Sequence, residues 1–204
     1  MKLTVTQGAN ANIPALSARC PHCGKEAVMS QLGQDLAIGG NYVCGQRVCP
    51  DPQCKGHLFV VSHAGSLLTS YPAIRIDFNA ENIPDNVRET FEEALDCYAA
   101  GAFVACAIMV RRTLEEVCSD RGAKGGNLKA RLSDLQTKIV LPKELIEAMD
   151  ELRLLGNDAA HIEAQTFDQI STEELDVAIE FAKEILKGLY QYSSLLSKLR
   201  GLKK

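Results

Sequence analysis

The sequence predicts a mainly α fold preceded by a small N-terminal β module, on three observations. Five of the eight cysteines fall between residues 20 and 54. From Tyr71 onward apolar residues recur with helical spacing. Trp is absent and aromatic residues make up only 5% of the chain, which disfavours a large all-β core and suits packed helices. At 204 residues the chain exceeds the usual size of one domain, and these features divide it into a front module over 1–70 and a helical bundle over 71–204.

The front module is organised by "CPHCGKE" and "YVCGQRVCPDPQCKGHLFVV". A chain kept in a reducing compartment uses a C-x2-C pair for metal or redox chemistry rather than for disulfides. A tetrahedral zinc ion needs four ligands from two tight turns, and Cys20 and Cys23, with Gly24 behind them, form the first. Cys49 and Cys54 form the second, because "CPDPQCKG" has a turn's Pro and Gly and leads into the strand "HLFVV". Cys44, on the incoming strand "NYVCGQRV", and His57 remain alternatives for one ligand. Four thiolates leave no open position for water, so the Zn2+ is expected to be structural, and the module a zinc ribbon that needs such a staple to fold.

The helical part follows in order. Pro84 near a start, early acidic residues and Gly101 as a stop bound a first helix, with Val87, Phe91, Ala94, Leu95 and Tyr98 inward. A second runs from Phe103 to Arg121, apolar nearly all round between Ala105 and Val110 and therefore central. The third spans Leu128 to Ile139, before Pro142. Lys143 to about His161 is the fourth. The fifth opens on the capping box Ser171-Thr172-Glu173-Glu174 and continues towards Leu199, giving about five helices in all. Cys97, Cys106 and Cys118 sit on these helices as small core residues.

Charge separates the two parts. Residues 1 to 75 carry six Lys/Arg against three Asp/Glu, a balance of +3; the remainder carries sixteen against twenty-three, or -7, making the net -4. Non-specific nucleic-acid binding is mostly phosphate neutralisation, so an acidic domain would need a local patch. Lys124, Lys129 and Arg131 around "GAKGGN" form one, and Arg111 and Arg112 on the second helix are further candidates for phosphate or partner contact. Tyr42, Phe59 and Tyr71 are candidates for base stacking. Met1 to Asn10 has no apolar h-region, and the longest apolar run, Ala99 to Val110, is about half of a membrane span. The expectation is a soluble cytoplasmic protein with no membrane association.

"CPHC", the "CPDPQC" and "LFVV" segments, "YP" at Tyr71 and Pro72, "FEEALDCYAAGAFVACAIMVRRTLEEVC" and "LRLLGNDAAHIE" together resemble the bacterial domain-of-unknown-function family 4145, over about Cys20 to Leu199. That family is similar to the HEPN superfamily of helical bundles, common in defence and RNA-processing proteins. The resemblance implies a HEPN-like bundle, a homodimer, and a defence or stress role involving RNA or a protein partner.

Active HEPN ribonucleases place an Arg, a polar residue and, a few residues later, a His on one helix of the dimer interface. Asn157 and His161 match the polar residue and the His, while Gly156 stands in the place of the Arg. Arg153, one helical turn before Asn157, could supply the guanidinium to the same face, as could Arg111 or Arg112. In that case His161 would act as general base on a ribose 2'-OH or as general acid on the 5'-oxygen, with Arg153 and Asn157 stabilising the phosphorane without a metal. The competing expectation is a non-catalytic binding protein in which Arg153 pairs with Asp150 or Glu115, and Asn157 and His161 satisfy the helix end.

Overall fold

The computed structural model describes residues 9–74, 76–160 and 170–202, and among these the chain forms two compact units, Met1–Asp77 and Phe78–Lys204. The first unit runs past the expected junction at residue 70, because its last strand ends at Tyr71 and Ile74 packs on its core.

The front unit is more extensive than a bare ribbon. Strands β1 (Ala9–Ala11), β4 (Ser30–Gly39), β5 (Tyr42–Val48), β6 (His57–His63) and β7 (Ser66–Tyr71) form an antiparallel sheet in the order β1-β4-β5-β6-β7. A separate hairpin pairs β2 (Ser17–Arg19) with β3 (Glu26–Val28). The β4–β5 turn places Gly39, Gly40 and Asn41 at positive φ, a conformation open to Gly and Asn. Ile13, Cys20, Met29, Cys49, Leu58 and Val60 form the buried core. The unit therefore draws on residues of both cysteine turns as well as on strand side chains.

One polar pair lies inside this unit. Arg47 on β5 and Asp35 on β4 are 2% and 0% exposed and meet through two parallel hydrogen bonds, of 2.8 and 2.9 Å. Asp35 also accepts the backbone N–H of Ile13 at 2.8 Å. Gly45 makes room for the pair: a Cβ there would come 1.9 Å from the Asp35 carboxylate. The sequence reading did not single out these residues.

Among the described residues the second unit has five helical rods, so about half of the chain is helical rather than most of it. They are α1 (Asp85–Ala99), α2 (Phe103–Asp120), α3 (Leu128–Gln136), α4 (Lys143–Ala160) and a long rod made of α5 (Thr172–Leu186), a π-helical turn (Lys187–Gln191) and α6 (Tyr192–Leu202). α2 is central and packs against α1, α3, α4 and α5. Ser171 and Glu174 close the expected capping box at the start of α5. Cys106 and Cys118 are fully buried on α2, and burial pushes their thiols up to about 12 and about 11. The π turn presents Tyr190, whose hydroxyl donates to Asp120 at 2.8 Å while Arg121 lies over its ring.

No helix among the described residues is long and apolar enough to cross a membrane.

Candidate metal centre and the α2–α4 crossing

Cys20 and Cys23 flank the turn between β2 and β3. The backbone N–H of Gly24 donates to Cys20 O and that of Cys20 to Lys25 O, both at 2.9 Å, and Gly24 takes the positive φ that closes the loop. Cys49 and Cys54 flank the turn between β5 and β6. There Asp51 O accepts from the backbone of both Cys54 and Lys55 at 3.0 Å, and Cys49 N donates to Gly56 O at 2.9 Å. Two contacts tie the turns together: the Lys25 ammonium pairs with Asp51, and the His22 ring nitrogen Nε2 lies 2.8 Å from His57 O. Gly56 is required beneath that ring, since a Cβ would meet His22 at 2.2 Å.

The result is a cluster of four Sγ atoms, all within 4.8 Å of one another. Cys20 and Cys54 are 3.7 Å apart, Cys23 and Cys49 3.8 Å. These separations are far longer than a disulfide. They match the edge of a tetrahedron of sulfurs around one ion at a metal–sulfur distance of about 2.3 Å, which is about 3.8 Å. Burial raises the Cys20 thiol, but hydrogen bonds from the backbone of His22 and Cys23 outweigh it and bring the group to about 7. At Cys54 the Gly56 backbone hydrogen bond is outweighed by burial and the neighbouring sulfurs, which push the thiol up to about 12, so it is the tetrahedral spacing of four sulfurs that suits the set to a metal ion that binds thiolates. Neither Cys44 nor His57 belongs to the cluster; Cys44 lines a surface hollow with Leu32, Leu36 and Phe59.

Among the described residues of the front unit, three of the four basic side chains are paired within it and Lys55 is exposed. Arg19 pairs with Asp77 at 2.9 Å, Lys25 with Asp51, and Arg47 is buried with Asp35. Of the aromatic candidates, Phe59 and Tyr71 are exposed, while Tyr42 stacks on His63 with ring centroids 4.4 Å apart.

On α4, Arg153 is only 9% exposed and its Nε donates to Asp150 at 2.7 Å, holding that carboxyl below the usual range. Asn157 is half-buried on the same helix. His161, the third member of the expected series, lies outside the described residues.

Gly156 does not interrupt the helix. It is buried where α4 meets α2: a Cβ there would fall 2.3 Å from Arg111 Cβ and 2.9 Å from the Ala107 carbonyl oxygen. Gly156 is thus the point at which the α4 backbone comes close to the Arg111 stem and the Ala107 carbonyl of α2. Gly156→Ala is expected to destabilise the helical unit by about 1–3 kcal/mol, the usual cost of overpacking, despite Ala's better helix propensity. Urea denaturation followed by circular dichroism at 222 nm checks this; an unchanged or higher midpoint would show that the crossing can relax.

The other basic candidates divide by environment. Arg111 pairs with Glu115 at 3.1 Å and Arg131 donates to Glu115 O at 3.0 Å, whereas Arg112, Lys124 and Lys129 are exposed.

The helical sequence, from residue 92 to 203, matches the family described as Domain of unknown function (DUF4145). No curated protein and no solved structure matches the chain.

Proposed function

The chain belongs to the DUF4145 family, and from that premise we propose that it is a non-catalytic RNA- or partner-binding protein of a bacterial defence or stress system, cytoplasmic, with a structural zinc ribbon and a HEPN-like helical unit. Cys20, Cys23, Cys49 and Cys54 would hold the zinc, whose role is to fix the two turns; four thiolates saturate the ion. The observation that carries the non-catalytic reading is Gly156, pressed against the Arg111 stem and the Ala107 carbonyl where catalysis would call for an arginine. Arg153, the nearest substitute on α4, is turned inward onto Asp150. Binding is supported by the exposed apolar residues Leu32, Leu36 and Phe59 around one hollow of the sheet, a surface suited to a protein partner.

One observation favours the ribonuclease reading: the Arg111 stem lies against Gly156, beside the position where the motif arginine is missing, and its Nε is buried without a hydrogen bond while its Nη1 pairs with Glu115. A labelled RNA pool incubated with the intact protein in EDTA, beside His161→Ala and Arg111→Ala, separates the readings once zinc retention is verified. No cutting by any of the three is expected. Metal-independent cutting that disappears in His161→Ala would establish the ribonuclease instead.

A further inference from the structure

Two exposed surfaces of the helical unit complement each other. The first is a groove of about 760 Å³ between α4 and α5, with Leu155, Val177 and Phe181 among its apolar lining and Glu144, Glu151 and Glu173 among its acidic residues. Val177 and Phe181 remain 53% and 38% exposed there. The second is α6, none of whose residues is buried. Tyr192, Leu195, Leu199 and Leu202 recur at spacings of three and four and form one apolar stripe, accompanied by Lys198 and Arg200. The groove has the shape and charge to take a basic amphipathic helix, and α6 is such a helix.

We propose that α6 of one copy docks in the α4–α5 groove of a second copy, and reciprocally, making a two-fold homodimer. The partner has to be another copy, because α6 continues the same rod whose N-terminal part, Thr172–Leu186, walls the groove, and it therefore projects away from its own. Reciprocal exchange satisfies both surfaces at once and closes the assembly. The inference goes beyond the binding role above and stands whether or not RNA is bound.

Sedimentation velocity of the full chain over a concentration series tests it with two charge-reversed variants, Lys198→Glu/Arg200→Glu and Glu144→Lys/Glu151→Lys. Circular dichroism verifies that both fold; the exposed Lys198–Glu81 pair lost in the first contributes little. The parent chain is expected to dimerise, and each variant alone to associate about tenfold more weakly or worse, since like charges face each other twice. An equimolar mixture is expected to recover the dimer, because the reversed helix then meets the reversed groove and the unchanged pair meets itself. A parent chain that stays monomeric would overturn the proposal, as would a dimer indifferent to both variants or a mixture that does not recover. In the first case the groove or the helix would serve a different partner.

Discussion

Cys49→Ser is expected to unfold the front unit while the helical unit keeps its structure. Cys49 is 2% exposed and belongs both to the apolar core of that unit and to the four-sulfur cluster, so its loss removes packing and one of the four clustered thiols together. Structural zinc contributes on the order of 10–16 kcal/mol in small finger peptides, comparable with the entire stability of an ordinary domain. A weakened site therefore leaves the short strands of the front unit with too little holding them. Hydrogen exchange read by mass spectrometry should show residues 9–74 exchanging freely in the variant, with α1, α2 and α4 still protected. Cys44→Ser, outside the cluster, is expected to change stability by no more than about 0.5 kcal/mol. Equal effects from the two substitutions would mean that the four-sulfur cluster holds nothing.

Arg47→Ala is expected to cost the front unit about 3–5 kcal/mol, because it leaves the Asp35 carboxylate buried without its partner. Removing both charges together, as Asp35→Leu/Arg47→Met, should cost less than the single change, the signature of a coupled buried pair. The pair also sets a pH dependence. The Arg47 hydrogen bonds hold the Asp35 carboxyl below its usual value against the opposing effect of burial. A carboxyl depressed in the folded state contributes its stability in full above its unfolded pKa of about 3.9, and loses it as pH falls through the lower folded value. In Arg47→Ala the buried carboxyl favours its protonated form, so the sign of this contribution reverses. The stability gap between parent and variant, measured by urea denaturation from pH 7 downward, should narrow in acid. A constant gap would mean that Asp35 does not carry the difference.

The two kinds of element differed in how much the sequence disclosed. The helical unit was legible nearly helix by helix, because its apolar spacing, Pro84, Gly101 and the Ser171 capping box are local signals that the tertiary structure obeys. The four clustered cysteines were legible for the same reason, since turn chemistry at Gly24 and around Asp51 is written into neighbouring residues. The sheet was less so: β4 is mostly polar, with Leu32 and Leu36 facing outward, and it becomes a strand through pairing with β1 and β5. Asp35, Gly45 and Arg47 were missed because their meaning depends on strand register, which brings a carboxylate, an open Cα and a guanidinium to one place. In the sequence Gly156 stands out only as a glycine where the family resemblance calls for an arginine, yet it is the contact that lets α4 approach α2. Helix packing, which no short stretch of sequence encodes, decides its role.

Everything proposed for the front unit depends on four thiolates closing on one ion. Metal analysis of the purified protein, followed by X-ray absorption at the zinc edge, tests this directly. The expected result is one zinc per chain with four sulfur neighbours at about 2.3 Å. A protein that folds without bound metal, or a zinc shell containing nitrogen or oxygen, would contradict the assignment of Cys20, Cys23, Cys49 and Cys54 as the complete ligand set.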